Sequence, residues 1–327
     1  MLVFIVTPGH QRAVKALADR SYWADMPEVE LIDYYQLLGA REARSATYVF
    51  ADLERLQPWE LRFAGLLRRN LMEAGLKCVN DPAMAMGRFE LLRALNARGV
   101  NPYAAYLAIN FPRPRQFPVF VRREDDHGSV DELVVDQKRL DTLLRVTRQR
   151  GIGLRGLLVV EYCAEPIDDN LWRKLATFRI GDRYSLDHHV VQDDWRVKYG
   201  REGLEHPPGR IERLLQEEFD DVTQNRVPDP VKAAFEIARI EFGRADHAVV
   251  DGRTVIYEIN TNPHLRPRAE QRWPLRNQTV TAAHGRLAEM LWSIDSGDGR
   301  VLDLAPGRRI PVEWLGEDQT GPIPVRP

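Results

Sequence analysis

Residues 241–265 read EFGRADHAVVDGRTVIYEINTNPHL, and the reading of the whole chain turns on how the two apolar runs in this stretch are joined. Asp251-Gly252 is a strong turn signal between β-branched runs, so the stretch predicts two short strands in a hairpin. The second run ends with Glu258 and Asn260, and side chains two apart on a strand share a face. Whether Asp246 joins them depends on the loop. A tight two-residue loop at 251 and 252 would pair position 246 with 257 and turn Asp246 away, whereas a three-residue loop or one bulge restores the parity. Asp-Gly suits a type I turn followed by a left-handed glycine. The sequence therefore predicts an odd loop, with Asp246, Glu258 and Asn260 on one face.

Two carboxylates and an amide oxygen at a strand end are hard donors. They suit Mg²⁺, which takes one or two carboxylates and completes its octahedron with water and phosphate oxygens. A surface hairpin with solvated acids is the plainer alternative, but Asn262-Pro263 ends the strand sharply beside the donors, where sites are usually built. GRAD (243–246) followed by YEINTNP (257–263) resembles the metal-binding end of the ATP-grasp superfamily, in which an Arg-x-Asp strand precedes a strand ending in Glu-x-Asn and a proline. The pattern is nearest to the carboxylate-amine ligases, such as D-alanine-D-alanine ligases and glutathione synthetases. Where D-alanine ligases carry a glycine after the proline, this chain has His264.

Composition narrows the class. The chain has 327 residues and a formal net charge of −2, enough for more than one domain and without the basic excess of a nucleic-acid or membrane-surface binder. The N-terminal run LVFIV stops at Thr7-Pro8-Gly9, too short for a signal core, and no stretch could span a bilayer. Cys78 and Cys163 are far apart with no CxxC partner, against a disulfide framework or zinc site. The expected setting is a reducing cytoplasm, and the expected partner a small-molecule or peptide substrate, with a homodimer left open.

The fold class expected is α/β, with an α+β nucleotide-binding part: an ATP-grasp fold behind an N-terminal Rossmann-like domain. Residues 1–84 alternate strand and helix signals, including a helix at about 10–19, as a parallel sheet with crossovers does. The TPGH turn after the first strand lies where such sheets bind ligands, but with one glycine it is no phosphate fingerprint and reads more simply as a plain strand-to-helix turn. The resemblance divides the rest into a small subdomain at 85–163, a large subdomain at 164–295 carrying the metal site, and a Gly/Pro-rich tail at 296–327, extended or mobile. It also implies roles. Arg88 and Arg122 stand where the family has phosphate-gripping lysines, and the planar fork of arginine replaces a point charge. Gly128 and Ser129 would offer backbone N–H groups to phosphate. Glu161, Tyr162 and Cys163 map onto the adenine-pairing hinge, with Asp168 and Asp169 as candidates for the ribose hydroxyls. Lys174 would face the triphosphate, while Arg179 faces away.

The chemistry implied is transfer of the γ-phosphoryl of ATP, held by one or two Mg²⁺ with Mn²⁺ able to substitute, onto a carboxylate. An amine then attacks the acyl phosphate. Arg244, on the face of Asp246, would steady the intermediate as Arg122 steadies phosphate, or simply pair with Asp246. Arg266 and Arg268, after the metal strand, could clamp an acidic substrate group or face solvent. An ATP-grasp phosphotransferase and a non-catalytic nucleotide-binding module are the competing functions. The pair His188-His189 points to opposite faces with no third ligand nearby, which argues against a metal site there.

Overall fold

The computed structural model describes residues 1–19, 25–125, 132–168, 170–198, 209–265 and 272–304. The chain opens with β1 (Leu2–Val6), every residue of which is buried, as a central parallel strand covered on both faces must be. It is followed by β2 (Val29–Asp33), α1 (Tyr34–Gly39), β3 (Glu42–Arg44), β4 (Thr47–Phe50), α2 (Pro58–Glu73) and β5 (Lys77–Val79). The parallel sheet runs β2-β1-β4-β5. Local signals set the helices: Asp33 caps α1 in a box with Gln36, and α2 starts on Pro58, which lacks the N–H that a first turn leaves orphaned. The helix expected at 10–19 is instead two 3₁₀ turns, Gln11–Ala13 and Lys15–Ala18, neither with a side-chain cap. The reason lies just upstream, where Thr7 and His10 spend their side chains on Asp52 rather than on a helix start.

A second unit comprises α3 (Arg88–Ala97), β6 (Ala105–Leu107), β7 (Val119–Arg123), α4 (Gln137–Gln149) and β8 (Leu157–Glu161), with antiparallel order β6-β8-β7. Leu140 and Leu144 of α4 pack beneath Val119, Val121 and Val159 of this sheet. The third unit holds β9 (Trp172–Ile180), β10 (Arg183–Gln192), α5 (Arg210–Thr223), α6 (Asp229–Ala238), β11 (Phe242–Val250), β12 (Arg253–Asn260) and α7 (Pro274–Ile294). Its sheet is antiparallel, β10-β9-β11-β12. Ala245, Ile256 and Ile259 lie on one face of it against α3 and α6, leaving the face of Asp246 and Glu258 free for the second unit. The tail is partly a strand: β13 (Val301–Asp303) pairs antiparallel with β3.

The deciding hairpin differs from its expected form in one respect. Val250 pairs with Arg253, and Asp251 and Gly252 have φ of 49° and 69°, so the loop is the two-residue type I′ turn and not an odd one. That turn matches the twist of the flanking strands better than the alternative. Parity is restored further along, because Asp246 pairs with Glu258 while His247 pairs with Ile256. The extra residue, Tyr257, is a bulge, which re-aims every side chain beyond it.

Three polar side chains join the units. Asn80, fully buried at φ 64°, donates from Nδ2 to the carbonyls of Phe50 and Phe242 at 2.9 and 3.0 Å and accepts at Oδ1 from the N–H groups of Glu241 and Phe242 at 2.8 and 2.9 Å. It thereby ties β4 to β11. Thr261, just past β12, accepts from the N–H of Leu53 at 2.8 Å and donates to Glu54. Asn101 exchanges two hydrogen bonds with the backbone of Ile256 on β12, at 2.8 and 2.9 Å. Replacing Asn80 by alanine strands buried backbone donors and carbonyls and leaves a left-handed residue without its supporting amide. Asn80→Ala is expected to lower unfolding free energy by about 3 kcal/mol or more, read as the shift in urea midpoint at constant slope.

Candidate functional site

A cleft of about 830 Å³ opens where the three units meet. Its floor is the Asp246–Glu258 face of β11 and β12; one wall is β7, β8 and the segment after β8; the other end is closed by Gly9–Ala13 and Arg55 of the parallel sheet. At its centre Asp246 and Glu258 lie directly opposite each other on neighbouring strands, an arrangement that repels unless cations intervene. Four do. Lys174 Nζ, from β9, is 2.8 Å from Asp246 Oδ2, and Arg244 Nε is 3.3 Å from Oδ1. Arg88 Nη2 and Arg122 Nη2 converge on Glu258 Oε2 at 2.8 and 3.0 Å. Burial pushes the Asp246 carboxyl up, but Lys174 and then Arg244 outweigh it and hold the group below the usual carboxylate range. Burial, abetted by Arg88, pulls the Arg122 guanidinium down against the opposing pull of Glu258.

The placement of Arg88 is itself informative. It is the first residue of α3 and almost wholly buried, a position where the helix dipole disfavours a cation. Its Nη1 donates to the carbonyls of Arg123 and Glu124, so the second unit holds the guanidinium in place against Glu258.

Asn260 completes the group. Its Nδ2 donates to Glu258 Oε1 at 3.1 Å, while its Oδ1 is buried with no hydrogen-bond partner, the mark of a group that is satisfied only when something else is bound. Two carboxylates and one such amide oxygen fit a hard divalent cation that draws its other ligands from water and phosphate. Among the described residues no group of three or more His, Cys, Asp or Glu side chains is placed to hold a metal ion elsewhere. Four cations against two carboxylates leave the centre positive, as suits an incoming polyanion.

The wall after β8 is aromatic. Trp195 lies 5.4 Å from Phe120 and 5.4 Å from Tyr162, centroid to centroid, and all three line the cleft. Glu161 has its carboxylate committed to the N–H groups of Ala104 and Arg115 and the hydroxyl of Tyr106, at 2.7–2.8 Å. Cys163 is a free thiol, pushed up to about 11 by burial, and its carbonyl accepts from Tyr257 at 2.9 Å.

No family model and no curated protein matches this chain. Among solved structures, a D-alanine–D-alanine ligase from Bacillus anthracis, crystallised in complex with ATP, superposes with a TM-score of 0.52 at 13% identity, over 90% of this chain and 96% of that one. The chain has the ATP-grasp fold. An L-amino acid ligase from Bacillus licheniformis (TM-score 0.39, 11% identity, 80% of this chain and 66% of that one) and an ATP-grasp RimK-domain protein from Sphaerobacter thermophilus (0.41, 16%, 89% and 100%) overlap too loosely to bear an argument.

Within this ATP-grasp fold the residues singled out from the sequence are distributed unevenly. Arg122, Glu161, Tyr162, Cys163, Lys174, Arg244, Asp246, Glu258 and Asn260 all line the cleft, and Arg88 reaches its centre through Glu258. Asp168 does not line it. Its carboxylate is held by Arg210 at 3.1 Å and Arg213 at 2.7 Å, at the start of α5, whereas Glu165, a few residues earlier, does line the cleft and accepts from the N–H of Asp251 at 3.0 Å. Gly128, Ser129, Asp169, Arg266 and Arg268 lie outside the described residues. The sequence reading missed Trp195, Phe120, Asp194, His10, Arg12, Arg55 and Asn262 on the cleft wall. For Trp195 a signal existed: a large aromatic in the polar run DDWRVK, where a plain loop has no use for one.

Behind the sheet floor two histidines are buried neutral. His247 is held down to about 4 by burial, with Asp246 opposing, and His189 to about 3 by burial and by Arg173. The unfolded chain takes up these protons near the ordinary histidine value of 6.5, so their stability contribution is whole above that pH and is lost as pH falls toward the folded values. Wild-type unfolding free energy is expected to drop by up to about 1.4 kcal/mol per pH unit per histidine below about pH 6.5. His247→Gln should make urea midpoints measured at pH 7, 6 and 5 fall less steeply.

Proposed function

We propose that this chain is an ATP-dependent carboxylate-amine ligase, releasing ADP and phosphate as it joins an acid to an amine. The observation that carries this reading is the centre of the cleft: facing carboxylates on adjacent strands, an unpartnered amide oxygen beside them, and four cations around them. The fold supports it through a neighbour that is a ligase complexed with ATP.

In this reading the base of ATP lies against the aromatic wall formed by Phe120, Tyr162 and Trp195, near the hinge at Glu161–Cys163, with Glu165 toward the ribose and the phosphates directed at the cation cluster. Asp246, Glu258 and Asn260 would hold Mg²⁺, which neutralises phosphate charge during phosphoryl transfer. Lys174, Arg88 and Arg122 exchange their carboxylate partners for phosphate oxygens. Arg244 lies nearest the acceptor end and takes up charge on the acyl phosphate and the tetrahedral adduct. The acid enters beside the N-terminal turns and receives the phosphoryl group as an acyl phosphate, which the amine then displaces. No side-chain nucleophile is required, because ATP supplies the activation.

The test is ADP release by the full chain with MgATP and a pool of amino acids and small di- and tricarboxylic acids, with hydroxylamine added to trap acyl phosphate as hydroxamate. Hydroxamate together with ADP supports the ligase; a stable phosphorylated product without hydroxamate points to a phosphotransferase. Glu258→Gln should lower turnover by about 10²-fold or more while the circular dichroism spectrum is retained, and full turnover in that variant would remove the metal assignment. ATP should change the emission of Trp195, an effect absent in Trp195→Leu, whose ATP affinity should be weaker by about 1–3 kcal/mol, the usual worth of base stacking on an aromatic ring.

A further inference from the structure

At the end of the cleft remote from the aromatic wall, the turn after β1 and the turn after β4 come together at the carboxyl ends of two adjacent parallel strands. Asp52 stands there with no exposed surface, in a left-handed conformation (φ 61°). Its Oδ2 accepts from the hydroxyl of Thr7 and, at 3.3 Å, from the Thr7 N–H, and its Oδ1 accepts from Arg55 Nε at 3.1 Å. The Thr7 oxygen is in turn 2.7 Å from His10 Nδ1, which lies 3.4 Å from Asp52 Oδ2. These contacts fix the proton positions. The one hydroxyl hydrogen goes to the carboxylate, so the threonine oxygen must accept from the ring, and Nδ1 carries the hydrogen. In the neutral ring the lone pair is then on Nε2, on an imidazole about half exposed that lines the cleft.

The loop is also fixed relative to the metal strand. Asn262, two residues past Asn260, donates to the His10 carbonyl at 3.2 Å, and the Leu265 N–H donates to the Ala13 carbonyl at 2.9 Å. His10 therefore sits beyond the phosphate-binding cations, on the acceptor side. We propose that His10 is the general base that takes the proton from the attacking amine, with Thr7 and Asp52 as positioning residues that set its tautomer. The proposal rests on the ligase reading above. The amine nitrogen attacks the acyl carbon, the C–N bond forms as the bond to the phosphate oxygen breaks, and phosphate leaves with that electron pair. Before the attack the ammonium form of the amine gives one proton to Nε2, which frees the lone pair and later returns that proton to solvent; the second proton leaves the nitrogen of the tetrahedral adduct and is taken up by the departing phosphate. Among the described residues the charged group against the ring is Asp52, which also holds Arg55; Arg12, from its own 3₁₀ turn, and His264, from the segment after β12, line the same cleft, and Glu54 is engaged by Thr261.

The test compares wild type with His10→Gln, using the same acid pool with two kinds of nucleophile: the amino acids, whose amines are protonated at neutral pH, and hydroxylamine, which is not. Amide formation, followed by mass spectrometry, should fall about 10²-fold or more in His10→Gln, with hydroxamate formation falling at least about tenfold less. The amide rate of the variant should also rise with pH where that of the wild type has levelled off. An equal loss with both nucleophiles, or no loss with either, overturns the assignment. A wild-type chain that alters Trp195 emission with ATP but forms no hydroxamate overturns the ligase reading, and the base with it. An unchanged ATP-induced rise in Tm for the variant shows that the nucleotide site is intact.

Discussion

The facing of Asp246 and Glu258 across two neighbouring strands is the constraint from which the cleft follows. Two buried acids opposite each other are costly unless each is neutralised, and leaving either without a partner would cost several kcal/mol. The chain answers by drawing cations from four elements: Lys174 from the next strand, Arg244 from the same strand, Arg122 from the second sheet and Arg88 from a helix start. Because the last two belong to the second unit, satisfying Glu258 also sets one sheet over the other. The electrostatic requirement of two side chains and the existence of a cavity between two sheets are thus one fact.

The same pairing shapes how a ligand would be received. Cations engaged with carboxylates are already desolvated and oriented, so a phosphate meets donors whose ordering has largely been done. Loss of a carboxylate would therefore act in two ways, removing one of the two facing acids and releasing cationic groups that no longer have a fixed direction. The N-terminal turns show a parallel economy, since one buried aspartate, Asp52, orients a threonine, a histidine and an arginine at once.

Much of this was legible in the residues. The periodicity of LVFIV, VELID and TYVF set the parallel sheet, and the GRAD and YEIN runs brought out the three donors, because strand parity is a local property. The turn length was not, since type I′ geometry and a bulge at Tyr257 together give the same facing as an odd loop would. The choice is made by strand twist, which a linear pattern does not carry. Asp168 was a candidate only through the resemblance, and the arginines that hold its carboxylate, Arg210 and Arg213, lie on a helix distant in sequence. His10, within the TPGH turn already noted, and Arg55 reach the cleft from turns whose position is set by tertiary packing; Trp195 stood out in its polar run, but its place on the wall is set in the same way.

One joint has a bearing on solubility. β12 carries two of the three oxygen donors, yet it is the outermost strand of its sheet, where unpaired peptide groups invite a strand from another molecule. The amide of Asn101 and the hydroxyl of Tyr103 occupy that border at Ile256, imitating a neighbouring strand for the length of one residue. A foreign chain adding there would have to displace both, so the strand that positions the donors is guarded against templated aggregation by the same contacts that hold its bulge in register.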